Sequence, residues 1–180
     1  MAPSDDRPLV LRSRGAWVWF GITTAICAYL LIDVFVRGDA LQGVLIAPWM
    51  LLAVWFVWVF LVSPRIVADA AGATVRNPFV VSEIPWGAVR AIGLRYQTEF
   101  ELRAGGRITA WGGAARGPAR SRRGRAAADE RIDDQLSELE KLREGADRAP
   151  AAVRRRADWP AIGAFVAIAI WAAIAVAVAR

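Results

Sequence analysis

The strongest constraint on this chain comes from three apolar runs, each close to the length of a membrane span. They cover 16–36, 44–62 and 160–179, and Asp33 is the only charged residue in any of them. A helix rises about 1.5 Å per residue, so a run of this length spans roughly 30 Å, the thickness of a bilayer's hydrocarbon core. The sequence therefore predicts three transmembrane helices.

Positive charge is distributed unevenly around these runs. Of the 23 Lys and Arg residues, 18 lie between positions 63 and 159, and only Arg37 lies in the connection 37–43. Positive residues close to spans favour the cytoplasmic side. We therefore expect the N-terminus and the segment 63–159 to be cytoplasmic, with the connection 37–43 and the C-terminus outside. The first run exceeds a signal-peptide core and has no A-x-A-like site after it, which predicts a retained anchor.

The residue types that usually carry chemistry are scarce. The chain has no histidine, and its one cysteine, Cys27, lies in the first apolar run. A disulfide within the chain and a Cys/His metal site are therefore excluded. No phosphate loop, nucleophile elbow or H-E-x-x-H motif is present. Glu99 and Glu101 share a strand face beside Arg103 and Arg107, which favours solvated charges over acid–base catalysis. We expect no enzyme activity, no catalytic residue, no cofactor and no metal.

The segment 63–111 has the pattern of short β-strands. Apolar residues alternate with polar ones on both sides of Ala104-Gly105-Gly106, which predicts a hairpin with one buried and one wet face. Three further stretches, 65–68, 74–77 and 79–84, are also predicted as strands. About six short strands in so few residues indicate a small antiparallel sheet or partial barrel.

Two charged segments follow this predicted sheet. Positions 112–125 combine Arg and Gly without an acidic residue, which predicts a flexible linker. Positions 126–145 place Ile132, Leu136, Leu139 and Leu142 at helical spacing, so an amphipathic helix is expected. Its apolar stripe could cap the sheet or pair with another copy of the chain.

Short motifs in this region resemble a known family. VRNP at 75–78, IPW at 84–86 and the Gly-Gly hairpin occur in the order found in bacterial pleckstrin-homology (PH) domains. The closest likeness is to the actinobacterial low-molecular-weight-antigen type, whose domain commonly follows a two-helix membrane hairpin. The resemblance implies a bent sheet closed by a helix and no particular activity. PH domains that bind phosphoinositides usually use bases in the first strand connection, whereas 69–73 here has one acid and no base.

The fold class that follows is an α+β membrane protein, with three transmembrane helices, a small PH-like antiparallel β domain and a C-terminal helix on that domain. The predicted division of the chain is a cytoplasmic tail (1–15), a first span (16–36), an external loop (37–43), a second span (44–62), a PH-like β domain (63–111), an Arg/Gly-rich linker (112–125), an amphipathic helix (126–145), a basic juxtamembrane linker (146–159) and a third span (160–179).

Two arginine clusters are the candidate binding residues. They consist of Arg116, Arg120, Arg122, Arg123 and Arg125, and of Arg154, Arg155 and Arg156 beside the third span. An arginine near an anionic leaflet contributes about 1 kcal/mol, so membrane lipid is the expected partner. The first cluster could instead be a solvated linker, and the second could serve topology alone. Nucleic acid is not expected, because no aromatic residues interleave to stack on bases.

Small residues in the third run suggest a further contact. Gly163 and Ala167 form a small-xxx-small pair that would let this helix pack closely on the first two, unless alanine is simply common in this proteome. The arginine-rich composition, with Lys141 as the only lysine, suggests a GC-rich bacterial genome. We expect a non-enzymatic interaction module in the bacterial plasma membrane, binding lipid or a membrane-protein partner. The alternatives are an accessory or structural subunit of a larger membrane complex and, with less support, a transporter or channel.

Overall fold

The computed structural model describes residues 8–13, 15–94, 97–115, 122–146, 149 and 151–179. The chain divides into two compact units. The sheet unit comprises Met1–Ser13 and Pro64–Arg156, and the helical unit comprises Arg14–Ser63 and Ala157–Arg180. The elements in chain order are β1 (Leu9–Leu11), α1 (Gly15–Arg37), α2 (Ala40–Val57), a π-helical turn (Trp58–Val62), β2 (Arg65–Ala68), β3 (Gly72–Asn77), β4 (Val80–Pro85), a 3₁₀ turn (Trp86–Ala88), β5 (Val89–Leu94), β6 (Gln97–Leu102), β7 (Arg107–Ala115), α3 (Arg122–Gly145), β8 (Arg154–Ala157) and α4 (Trp159–Val178).

Among the described residues, three helices are long and apolar enough to cross a membrane: Gly15–Arg37, Ala40–Val62 and Trp159–Val178. No more than 17% of the residues in the apolar window of any of them are buried within the protein. Many of their apolar side chains are exposed, among them Trp19, Ile26 and Ile174, which is the arrangement expected of helices surrounded by hydrocarbon. These helices correspond to the three predicted apolar runs.

Helix α2 contacts both other long helices of the helical unit. Gly43 of α2 lies against the ring of Phe35 in α1, where a Cβ on the glycine would come within 2.6 Å of the ring. On the other side, the indole Nε1 of Trp55 donates to the carbonyl oxygen of Ala161 at 3.2 Å, and its ring lies 5.0 Å from that of Phe165. The α1–α2 contact thus includes a close approach at Gly43, and the α2–α4 contact includes a hydrogen bond and a ring contact of Trp55.

The helical hairpin is tighter than predicted. The sequence places an external loop at 37–43, whereas α2 begins at Ala40 and leaves only Gly38 and Asp39 between the helices. Asp39 caps α2, because its Oδ1 accepts a hydrogen bond from the amide of Leu41 at 3.4 Å. Pro48 consequently lies inside the helix.

The described strands form two antiparallel layers in the sheet unit. One sheet has the order β1-β2-β3-β4-β8, and the other has the order β5-β6-β7. Gly105 and Gly106 have φ values of 92° and 86°, which only glycine adopts without strain, and they form the β6–β7 hairpin loop as predicted.

The core of the sheet unit lies between these two sheets and α3. Ile66, Val75, Trp86 and Phe100 are at most 2% exposed, and Leu139 of α3 is fully buried with them. The hairpin alternation is confirmed, since Phe100, Ile108 and Ala110 face this core. The helix therefore caps the sheet, which is one of the two alternatives that its apolar stripe left open.

Three segments predicted as tail or linker contain regular structure. The tail 1–15 contributes β1, which pairs with β2 through Leu9↔Ala68 and Leu11↔Ile66. The linker 112–125 begins as the end of β7 and ends as the start of α3, and the linker 146–159 contains β8. A strand such as RRRA has no apolar alternation, so its pairing with β4 is decided by the neighbouring strand and not by its own sequence.

Candidate functional site

The sheet unit has two ends with different chemistry. One end contains Leu11, Arg65, the β3–β4 hairpin tip and Gly112. We call it the proximal end, because Arg65 follows shortly after the second apolar helix in the chain. The strand register joins these residues, because Leu11 pairs with Ile66, Arg65 with Arg76 and Asn77 with Val80. A Cβ at Gly112 would collide with the backbone of Pro64 and Arg65, so β7 passes directly over the start of β2.

The opposite end, which we call the distal end, is formed by the turn after β2, the 3₁₀ turn and the β6–β7 hairpin loop. Asp69 organises it, since its Oδ1 accepts hydrogen bonds from the amides of Ala71 and Gly72 at 2.8 and 3.1 Å. The carbonyl of Asp69 also accepts from the indole Nε1 of Trp86 at 2.8 Å. Trp86 of the IPW motif is buried in the core and therefore connects the turn to it through this hydrogen bond.

The turn at Asp69 is acidic, as the sequence indicates. A shallow pocket of about 210 Å³ beside it is lined by Asp69, Glu83 and six residues without a positive charge. An anionic headgroup placed here would face two carboxylates. This end of the domain is therefore unsuited to phosphate recognition in the manner of phosphoinositide-binding PH domains.

A larger pocket of about 480 Å³ lies elsewhere at the distal end. Its lining consists of Gly87, Ala88, Leu102, Arg103, Ala104, Ala151, Ala152 and Val153. Arg103 is the only one of these residues with a titratable side chain, and its amide donates to the carbonyl of Ala88 at 2.9 Å. Such a pocket can accept an apolar group that carries a negative charge near its rim, but its lining offers no acid–base pair.

The structure describes only part of the first predicted arginine cluster. Arg116 and Arg120 lie outside the described residues. Arg122, Arg123 and Arg125 lie in the first turn of α3, and their side chains are outside the described part of the structure. The lipid contacts predicted for these five arginines stay a prediction.

The second cluster forms an exposed edge strand. Arg154, Arg155 and Arg156 are all exposed in β8, and the Nε of Arg156 lies 3.5 Å from Oε1 of Glu83 in β4. Within the part of the chain that the structure describes, neither Arg154 nor Arg155 has an ion-pair partner. These two side chains are therefore available to an external anion.

A basic face of the five-stranded sheet was missed by sequence reasoning. Side chains alternate between the two faces of a strand, so Arg154 and Arg156 share one face. Thr74 and Arg76 are two positions apart in β3 and therefore also share a face. Glu83 pairs with Thr74, and Arg65 pairs with Arg76, so the half-buried Arg65 and Arg76 lie on the same face as Glu83. Arg65 and Arg76 are eleven positions apart in sequence, so only the register of β2 with β3 brings them together.

The carboxylates of the second sheet form an ordinary surface pair. Oε2 of Glu99 lies 3.4 Å from NH1 of Arg107, diagonally across β6 and β7, because Glu99 pairs with Thr109 and Arg107 pairs with Glu101. Among the described residues, no group of three or more His, Cys, Asp or Glu side chains could hold a metal ion. Glu99 is thus engaged with Arg107, and Glu101 on the same strand face lies directly opposite that arginine.

Gly163 and Ala167 are exposed on α4. A Cβ at Gly163 would meet no atom within 4 Å, whereas the contact with α2 is made through Ala161 and Phe165. The pair therefore does not form the α2–α4 contact as predicted, because α4 turns a different side toward α2. Whether the pair binds another membrane protein stays a prediction.

Comparison with known proteins gives a match for most of the sheet unit. Residues 63–131 match the family model described as "Bacterial PH domain", a segment that runs from β2 through β7 into the first half of α3. No curated protein and no solved structure matches the chain. The two sheets closed by α3 agree with this family, so the chain carries a PH-like domain.

Proposed function

We propose that this chain is a multi-pass protein of the bacterial plasma membrane whose PH-like domain is a non-enzymatic interaction module on the cytoplasmic side. Three helices of sufficient length and apolarity support the membrane assignment. The match to a bacterial PH domain supports an interaction module. The excess of Lys and Arg between positions 63 and 159 supports the cytoplasmic location.

The observation that carries the proposal is the position of three strands along the chain. Three residues separate Leu11, the end of β1, from the start of α1, and two residues separate Val62 from Arg65, the start of β2. β8 ends at Ala157, and only Asp158 separates it from α4. Each candidate span is thus joined to a strand of the same sheet without a long linker. A domain built in this way presents its surfaces to partners at the membrane.

The partner is a membrane lipid or a second membrane protein. Arg154 and Arg155 suit anionic headgroups, because they are exposed, unpaired with any described residue and within five residues of the third span. The apolar pocket with Arg103 suits an acidic and apolar segment of a partner protein. Both surfaces belong to binding and not to catalysis.

The topology is tested by cysteine accessibility in a Cys27→Ala background. Single cysteines replace exposed residues at Gln42, Ala179 and Ala104, and intact cells are treated with a membrane-impermeant maleimide. We expect labelling at positions 42 and 179, and labelling at 104 only after permeabilisation. Labelling at 104 in intact cells would invert the topology and remove the cytoplasmic role.

The partner surface is tested by photocrosslinking in native membranes. A photoreactive residue at Ala104, on the pocket rim, is expected to capture a discrete protein, and Arg103→Glu should abolish the adduct. The same probe at Glu101, which is exposed on β6, serves as the control and should give none. Equal adducts at both positions would contradict a specific pocket. Saturable turnover of any metabolite by the purified full-length protein would overturn the non-enzymatic assignment.

The lipid surface is tested with the full chain in detergent micelles. Added phosphatidylglycerol should raise the midpoint of thermal unfolding, because a ligand that binds the native state stabilises it. Arg154→Gln with Arg155→Gln should reduce this rise, while Arg90→Gln, an exposed arginine on β5, should leave it unchanged. Equal rises in all variants would exclude β8 as the lipid contact.

A second candidate function is an accessory subunit of a larger membrane complex. The exposed Gly163 and Ala167 favour it, since a small surface on α4 remains after α4 has packed on α2. Gly163→Leu with Ala167→Leu should then release a stoichiometric partner during detergent purification. Unchanged co-purification would leave this candidate without support.

A further inference from the structure

The β3–β4 hairpin tip holds a large residue in a strained backbone conformation. Pro78 and Phe79 form a two-residue loop between the paired Asn77 and Val80, and Phe79 has a φ of 65°. Glycine adopts this conformation without strain, whereas an aromatic side chain rarely does. Strain of this kind indicates that the side chain of Phe79 has a use that glycine could not provide.

Asn77 fixes this tip beside an exposed tryptophan. Its Nδ2 donates to the carbonyl of Thr109 at 2.7 Å, and its Oδ1 accepts from the amide of Trp111 at 2.9 Å. Trp111 is 52% exposed, Val80 is 39% exposed and Phe79 is half-buried. We call these three residues the Phe79–Trp111 patch. It is an apolar and aromatic surface, whereas Trp86 and Phe100 of the same domain are buried.

The position of the patch indicates what covers it. Gly112, next to Trp111, has no room for a Cβ because the backbone of Pro64 and Arg65 lies against it. Pro64 is only two residues beyond Val62, the last residue of the second apolar helix. Arg76, which precedes Asn77, pairs with Arg65 across β2 and β3. The patch thus lies at the end of the domain where the chain leaves the second span, and Arg65 and Arg76 lie at the same end on the opposite face of the sheet.

We propose that the Phe79–Trp111 patch lies in the headgroup region of the bilayer that the chain's own helices cross. Tryptophan prefers this region, because its ring is apolar and its N–H is polar. Neighbouring arginines are also typical of residues at this depth. The inference rests on the proposed function, since it requires that the three helices span a membrane. It names a membrane contact at the proximal end, opposite the acidic turn at Asp69.

The test measures depth in the bilayer with the full chain in nanodiscs. Single cysteines in a Cys27→Ala background carry a fluorescent NBD label at Val80, at Ala104 or at Ile26. Nanodiscs are prepared with and without lipid that bears a nitroxide near the headgroup. We expect about twofold quenching at Val80, as for a side chain at the interface, and almost none at Ala104 on the distal hairpin.

The label at Ile26 distinguishes failure of the proposed function from failure of the membrane contact alone. Ile26 is an exposed residue of α1, and its label should be protected from aqueous iodide if that helix spans the bilayer. Accessible Ile26 would overturn the proposed function itself. Protected Ile26 together with equal, weak quenching at Val80 and Ala104 would overturn only the membrane contact of the patch. A Val80 label shielded from both lipid nitroxide and iodide would mean that protein covers the patch, which also overturns this inference.

Phe79→Gly tests the use of the aromatic side chain without risking the fold. Glycine removes the strain at φ 65°, so the thermal midpoint of the full chain should rise or stay constant. Quenching at Val80 should nevertheless fall by about half, because the tip loses its apolar anchor. Unchanged quenching at Val80 would show that Phe79 does not hold the tip at the membrane.

Discussion

The two units of this protein treat the same residue types in opposite ways. In the sheet unit, Ile66 is fully buried and Trp86 is 2% exposed, whereas in the helical unit Ile26 is 53% exposed and Trp171 is 37% exposed. The sheet unit gains stability by removing apolar surface from water into its own interior. The helical unit leaves its apolar surface outward, where hydrocarbon is the expected surrounding. An apolar residue therefore favours an environment without water, and the protein interior is only one such environment.

The largest effect should come from truncating the main aromatic residue of the sheet core. Trp86→Ala removes a fully packed ring and its hydrogen bond to the carbonyl of Asp69, and should lower the free energy of unfolding by about 3–5 kcal/mol. Thermal unfolding of the full chain in detergent, followed by circular dichroism, measures the change. Trp171→Ala on α4 is the matched control, and equal losses in both variants would contradict the contrast between the units.

The next effect should come from the helix that closes the sheet. Leu139→Ala leaves a cavity under α3, and should cost about 2–4 kcal/mol in the same measurement. Glu138→Ala, on the exposed side of the same helix, should change stability by less than about 0.5 kcal/mol. A small loss for Leu139→Ala would mean that α3 is not part of the core.

A smaller effect should follow from removing the polar contacts that attach α3 to β5. Arg143 places Nε 2.6 Å from Oε2 of Glu140 and NH1 2.7 Å from the carbonyl of Arg90 on β5. Arg143→Ala should therefore cost about 1.5 kcal/mol, because charge-assisted hydrogen bonds contribute more than neutral ones. Lys141→Ala, an exposed neighbour, is the control. A loss no greater than that of the control would exclude the attachment.

The smallest effect is expected from an outward isoleucine of the helical unit. Ile26→Ala in detergent should change the free energy of unfolding by less than about 0.5 kcal/mol, because the side chain packs little against the protein. Ile66→Ala, the same change inside the sheet unit, should cost about 2–5 kcal/mol. Comparable losses for the two variants would show that the helices carry a packed core of their own.

Local patterns were sufficient for much of the sheet. The alternation around Gly105-Gly106 predicts the β6–β7 hairpin, and the apolar spacing of Ile132, Leu136 and Leu139 predicts a helix that could close the core. The IPW motif points to Trp86, which proves to be central to packing and to the Asp69 turn. Each of these signals lies within a few residues, where one face of an element must be buried.

Other features could not be recognised from local sequence. β1 and β8 depend on pairing with strands that lie more than 50 positions away, and neither has the alternation of a strand with a buried face. The basic face with Arg65 and Arg76 exists only because β2 and β3 align in one register. The pocket beside Arg103 combines the 3₁₀ turn, a hairpin loop and the segment before β8, which are up to 66 residues apart.

The sequence by itself determined the three apolar spans, the positive segment between the second and third, and a small β domain with a closing helix. These properties follow from the length of apolar runs and from the period of apolar residues, which are local quantities. The tertiary structure decided which backbone edges pair, which arginines share a face and where Phe79 and Trp111 meet. Such choices depend on hydrogen bonds and contacts between distant segments, and no short stretch of sequence contains both partners.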